Sequence, residues 1–175
     1  KNTAIGTASV TISGIGVYTG TIERNFQIYV SKGSTYTVSD MQYKITDAAT
    51  SGKGTVTFVE STKSKSKLKG TLKIGNTVMI GGISFKITAI GDKAFKGYTK
   101  LTKVTIGNNV ITIGKEAFSG CGIVSSVTTG TGLKTISANA FYNCKKLKTI
   151  TISSKSLKTV SKNAIKNIYR KAVIK

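Results

Sequence analysis

Reactive side chains are scarce in this 175-residue chain, and what is missing decides much of what it can do. There is no histidine. A serine or cysteine nucleophile therefore lacks its usual base, and no imidazole can hold a metal. Six carboxylates are present, Glu23, Asp40, Asp47, Glu60, Asp92 and Glu116. No two are close enough in sequence to suggest a general acid and base pair. Two cysteines, Cys121 and Cys144, make neither a disulfide framework nor a zinc site. The composition points to a chain that is not an enzyme and that carries no catalytic, metal-binding or cofactor-binding residues.

Lysine is the abundant charged group, and it is unevenly placed. Residues 1–60 hold five basic and four acidic groups, whereas residues 61–175 hold 22 basic and two acidic groups, out of a net charge of +21. The second half is a polycation that should attract polyanions in a salt-dependent way. A lysine coat that only keeps the chain soluble explains the same charge. Nucleic acid is disfavoured as partner. The exposed segments lack the interleaved aromatics that stack bases, and arginine occurs only at Arg24 and Arg170. No apolar run approaches the ~18 residues of a membrane span.

The element that must position these side chains is a repeat. Ile90-Gly91-Asp92-Lys93-Ala94-Phe95 returns as Ile113-Gly114-Lys115-Glu116-Ala117-Phe118 and again as Ile136-Ser137-Ala138-Asn139-Ala140-Phe141. Each block is followed by an apolar triplet: Leu101/Val104/Ile106, Val124/Val127/Thr129 and Leu147/Ile150/Ile152. A fixed period of this size means a solenoid, an architecture that offers extended binding surfaces more often than active sites. Each unit should contribute one strand such as Leu101–Ile106, a shorter one such as Val110–Ile113, and a short helical turn around Lys115–Phe118. Phe95, Phe118 and Phe141 should stack as a buried spine, with Ile165 in that place in the last unit and one residue inserted between Ile152 and Leu157.

Ahead of the repeats the pattern changes. Residues 4–30 read as a β-hairpin whose connection, Gly14–Gly20, is glycine-rich. Residues 31–35 have linker composition. Short strands follow at Tyr43–Thr46, Thr55–Val59, Leu72–Ile74, Thr77–Ile80 and Ile83–Ile87, the last two joined by a tight Gly81-Gly82 turn. Ser61–Lys69 alternates Ser or Thr with Lys and reads as an exposed loop, with phosphate binding as the lesser alternative. The strand-rich block should cap the open end of the solenoid.

Two resemblances add to this reading. Residues 6–28, from Gly6-Thr7-Ala8 to Phe26-Gln27-Ile28, resemble the last strands of a bacterial surface immunoglobulin-like module. Ile111–Cys121 and Ile136–Cys144, the latter followed by Leu147–Ile152, resemble the BspA-like leucine-rich repeats of bacterial cell-surface proteins. Gly107 stands where that family often has Pro, Tyr98 takes the cysteine place of the first unit, and Thr129 replaces an apolar residue. The expected fold is a leucine-rich-repeat solenoid with a β-strand N-terminal cap and an N-terminal hairpin. The expected division is a partial immunoglobulin-like module at 1–30, a linker and cap at 31–86, and about four repeats at 87–175, with both ends read as cut from a longer protein.

The resemblance implies display at the bacterial cell surface, with a host or matrix protein or an acidic glycan as partner. It also implies a concave sheet made from Leu101–Ile106, Val124–Thr129 and Leu147–Ile152. With Val104 and Ile106 inside, strand alternation turns Lys103 and Thr105 outward, together with Ser126, Thr128, Thr149 and Thr151 and with Lys148 on the flank. These seven residues are the candidate interaction face. The alternatives are a structural spacer that presents another domain, or a salt-sensitive polyanion binder. Cys121 and Cys144 fall in one place of adjacent units. A disulfide is within reach there, but buried thiols packing as small apolar groups are favoured.

Overall fold

The computed structural model describes residues 3–13, 21–48 and 54–175. It contains fifteen strands among those residues. The first two, β1 (Thr3–Ser13) and β2 (Thr21–Val30), pair antiparallel, with an irregularity between Ala4 and Gly6. This is the hairpin expected over 4–30, although its connection at 14–20 lies outside the described residues. Val30, at the end of β2, is fully buried.

Next come β3 (Thr35–Val38), β4 (Met41–Asp47), β5 (Thr55–Ser61), β6 (Gly70–Ile74), β7 (Thr77–Ile80) and β8 (Ile83–Ile90). β3 was not expected. The segment before it has linker composition, but the Gly33 amide donates to the Ile45 carbonyl and the Ile45 amide to that of Ser34. It is therefore tied to β4. The β7–β8 hairpin turns at Gly81 and Gly82, with φ of 56° and 83°. Both values lie where only glycine sits without strain, as a two-residue hairpin requires.

The repeats supply β9 (Leu101–Ile106), β10 (Thr112–Ile113), β11 (Ser126–Thr129), β12 (Thr135–Ile136), β13 (Thr149–Ile152), β14 (Thr159–Val160) and β15 (Val173–Ile174). They sort into two parallel stacks. One runs β6-β9-β11-β13-β15, and the other runs β5-β8-β10-β12-β14. Each coil of the chain gives one strand to each stack. β5 and β6 enter both stacks in parallel, so residues 55–74 form a first coil that the repeat pattern did not reveal. The antiparallel strands β4 and β3 extend the sheet beyond β5.

The core lies between the stacks. Phe58, Phe95, Phe118 and Phe141 are at most 1% exposed. Their rings stack at centroid distances of 4.7, 5.2 and 5.3 Å, with interplanar angles of 11° or less. The spine thus begins one coil earlier than the repeat suggests, at Phe58. Thr129, which stands at an apolar position, is buried and its hydroxyl donates to the Gly130 carbonyl at 3.4 Å.

The expected helical turns are not helices. Residues 91–98, 114–121, 137–144 and 161–168 form linked turns instead. The cause is a pair of left-handed residues in each of these four segments. Lys93, Glu116, Asn139 and Asn163 have φ of 56–59°, and Gly97, Gly120, Asn143 and Asn167 have φ of 59–75°. A helix sends every amide along its own axis. Here alternate amides leave sideways. Those of Lys93, Phe95 and Gly97 donate to the carbonyls of Lys115, Ala117 and Ser119 in the next coil, at 2.7–2.8 Å. Those of Ala94, Lys96 and Tyr98 close turns within their own coil. The turn side is therefore a third hydrogen-bonded ladder, which offsets the ~1–2 kcal/mol that each non-glycine left-handed residue costs.

The cysteine place belongs to this ladder. Cys121 and Cys144 are free and fully buried, and each thiol donates to a carbonyl of the preceding coil, Phe95 at 3.1 Å and Phe118 at 3.2 Å. Tyr98, in the same place one coil earlier, reaches further. Its hydroxyl lies 3.3 Å from the Ser61 carbonyl and 3.2 Å from that of Lys63. Burial pushes both thiols up to about 12. At pH 8 neither thiol should react with a disulfide reagent until urea unfolds the coils. Each native pKa lies above its unfolded value, so the contribution to stability is intact below pH ~9 and falls as pH climbs toward 12. Fast labelling of the folded protein at pH 8 would contradict the burial.

Candidate functional site

The strand register of the first stack brings the expected face together. Thr71, Lys103, Ser126 and Thr149 lie opposite one another on β6, β9, β11 and β13, and Lys73, Thr105, Thr128 and Thr151 form the next row. Parallel neighbours lie ~4.8 Å apart, so each row is a continuous line of short polar groups. Lys103, Thr105 and Thr128 are exposed, while Ser126, Thr149 and Thr151 are half-buried. Lys148 is exposed beside the rows, with its ammonium 5.5 Å from the centre of the Tyr169 ring. Lys73 and Thr71 complete the face but were missed, because β6 lies in the coil without the repeat signature. Lys73 and Lys103 are the only charged members of the two rows. The surface can accept and donate hydrogen bonds, but it presents no pair of titrating groups for proton transfer.

The turn side carries a second feature, a groove of about 550 Å³ that crosses three coils. Lys96 and Gly97 come from one coil, Glu116, Ser119 and Gly120 from the next, and Asn139, Tyr142 and Asn143 from the third. Lys65 joins them from the segment between β5 and β6, where its side chain lies over Gly97. Lys96 and Glu116 form an ion pair across adjacent coils, and this hydrogen bond holds the Glu116 carboxyl below the usual carboxylate range. The 61–69 loop is thus fastened at several points. Tyr98 bonds to its first residues, and Lys63 pairs with Asp40 at 3.1 Å.

Among the described residues no three His, Cys, Asp or Glu side chains converge to hold a metal. No helix there is long and apolar enough to cross a membrane.

Residues 79–174 match the family described as the BspA type leucine rich repeat region. A leucine-rich repeat protein from Bacteroides capillosus is 30% identical, with 81% of this chain and 99% of that one covered and a TM-score of 0.62. A second leucine-rich repeat protein, from Bacteroides ovatus, is 22% identical, with 79% and 36% covered and a TM-score of 0.64. A leucine rich cell surface protein from Faecalibacterium prausnitzii is 21% identical, with 81% and 50% covered and a TM-score of 0.53. The chain therefore spans about a third of one of these proteins and half of another. No curated protein matches it.

Proposed function

The chain belongs to the BspA-type leucine-rich repeat family, and on that footing we propose that it is a non-enzymatic interaction and adhesion scaffold displayed on a bacterial cell surface. Display outside the cell is supported by the relative described as a cell surface protein. The observation that carries the interaction reading is the pair of outward rows on β6, β9, β11 and β13. They form a hydroxyl-rich, cation-tipped surface held rigid by the stack beneath. A host or matrix protein or an acidic glycan fits it. On this reading residues 1–30 are the end of an immunoglobulin-like module, 31–86 a connection and cap, and 87–175 the repeats.

The test is binding to immobilised glycans and to heparin at roughly 0.15 M salt, where unscreened attraction reaches only ~8 Å. Saturable binding should persist there. It should weaken about tenfold in a Lys103→Glu, Thr128→Asp variant. Because both sites are exposed, stability should move by no more than ~0.5 kcal/mol per site. Binding that vanishes on modest salt addition would reduce the surface to its charge.

One observation favours a second reading, a spacer that holds another domain off the wall. The two rows contain no Tyr, Trp or Arg, the residues that dominate interface energetics. Absence of saturable binding in the same assay, with the solenoid folded, selects the spacer.

A further inference from the structure

The turn-side groove is built by what the middle coil lacks. At two neighbouring places, Lys96 is followed by Ser119 and then Tyr142, and Gly97 by Gly120 and then Asn143. Lys96 on one side and Tyr142 and Asn143 on the other carry long or branched side chains, while the middle coil carries a hydroxymethyl group and a hydrogen and Gly97 is bare as well. A Cβ on Gly120 would meet only Gly97, its Cα at 3.7 Å and its amide nitrogen at 3.8 Å, so the floor there is bare backbone. Ser119 sits on that floor, 92% of its surface buried. Its amide donates to the Glu116 carbonyl and its carbonyl accepts from the Gly97 amide, so its backbone is paired within the ladder while its side chain lines the groove. With the backbone committed to the ladder, the hydroxyl is the group of Ser119 left to meet a bound molecule in the groove.

The remaining lining defines that partner. About 550 Å³ falls within the roughly 300–1,000 Å³ of ligand sites. Most such sites are apolar, whereas this one offers an aromatic ring, two amides, a hydroxyl and a carboxylate. That set matches a sugar ring, whose C–H face rests against an aromatic and whose hydroxyls need donors and acceptors together. The ammonium groups of Lys65 and Lys96 add positive charge at the side away from Tyr142. Glu116 is already committed to Lys96, so the groove keeps a net positive charge. We infer that the groove between Lys96 and Tyr142 binds a carboxylate-bearing sugar unit of an acidic glycan. Tyr142 packs on the ring, Ser119 with Asn139 and Asn143 meets its hydroxyls, and Lys65 and Lys96 face its carboxylate.

This assignment rests on the scaffold reading but can fail without it, because the sheet rows lie on another side of the coil. The probes are a galacturonate trisaccharide and its neutral galactose counterpart, titrated into isotope-labelled protein at roughly 0.15 M salt. The acidic trisaccharide should shift the amides of Lys96, Ser119, Gly120 and Asn143, and the neutral one should bind about tenfold more weakly. Tyr142→Ala, Ser119→Ala and Lys96→Gln should each weaken binding by about tenfold. Ser119→Ala removes only an oxygen, so its fold is secure even if Tyr142→Ala loosens a coil. Lys158→Gln, with the same change in charge outside the groove, should bind unchanged. Equal losses in Lys96→Gln and Lys158→Gln, or shifts spread over the surface lysines, overturn the site. Equal response of the same amides to hexaglutamate overturns the sugar class. Binding confined to β9, β11 and β13 overturns the groove and leaves the scaffold reading in place.

Discussion

Replacing Phe118 by Ala should destabilise the solenoid by about 3–5 kcal/mol, the range for emptying a buried aromatic site. Phe118 is 1% exposed and stacked on both sides, at 5.2 Å from Phe95 and 5.3 Å from Phe141. Each stack adds roughly 0.5–1.5 kcal/mol beyond burial. The surroundings cannot collapse easily into the hole, because the coils on both sides are fixed by the strand stacks and by the turn ladder. A whole domain is stable by only ~5–15 kcal/mol, so the loss is a large share. It should also be uneven. In a solenoid each coil holds only its neighbours, so an empty place at Phe118 uncouples the coils after it from those before it. Urea unfolding followed by far-ultraviolet circular dichroism, in a chain without Trp, should show a lower midpoint and a broadened transition. Phe141→Ala should cost less, because its partner in the last coil is Ile165, which is only half-buried. A loss below ~1 kcal/mol for Phe118→Ala would mean that the spine does not hold the coils together.

The spine was legible because its phenylalanines recur at the repeat period with apolar neighbours in register. Its first member was not. Phe58 lies in a coil that lacks the Ala-Phe turn and keeps only two of the three apolar places, Leu72 and Ile74, and the pairing of β5 with β8 and β6 with β9 reveals it. The turns were misread for a different reason. Ala-Phe flanked by polar residues suits a helix as well as a chain of turns. The signal against a helix was Gly97, Gly120, Asn143 and Asn167, residue types that accept left-handed backbone, with Asn139 and Asn163 four residues earlier in the later coils; Lys93 and Glu116 at that earlier place gave no such signal. The outward rows needed both the concave sheet that the family resemblance implied and strand alternation, which picked the side chains facing out. The groove was not legible, since it depends on Gly97, Ser119 and Gly120 lying between Lys96 in one coil and Tyr142 and Asn143 in another. Such contrast appears only when the coils are laid side by side.

That side-by-side spacing has its own determinant. Gly130→Ala should cost about 3 kcal/mol, at the upper end of what forced overpacking costs. A Cβ at this position would stand 2.5 Å from the Asn108 amide nitrogen and 2.5 Å from the Gly107 carbonyl carbon. Real Cβ atoms do not come within 3.0 Å of such neighbours. The obstruction is backbone, so no rotamer change relieves it, and coils packed at the ~4.8 Å strand spacing must separate. Gly107 repeats the arrangement one coil earlier, where a Cβ would stand 2.6 Å from the Gly75 carbonyl carbon. Gly75, Gly107 and Gly130 thus form a column just past the ends of β6, β9 and β11. Ser153, next in register, carries a Cβ where the coil takes its one extra residue. There the Ser154 hydroxyl supplies a bond back to the Leu133 carbonyl, at 2.6 Å. Gly122→Ala is the control, since its Cβ would meet nothing within 4 Å. It should change stability by ~1 kcal/mol or less, and in the favourable direction if the backbone suits Ala. Gly107→Ala with Gly130→Ala should cost less than the sum of the two. Once one wedge has parted the coils, the second meets a gap already opened, a coupling that a double-mutant cycle reads directly. Strict additivity, or a Gly130→Ala loss no larger than that of Gly122→Ala, would show that the coil spacing adjusts freely and is not set by the glycine column.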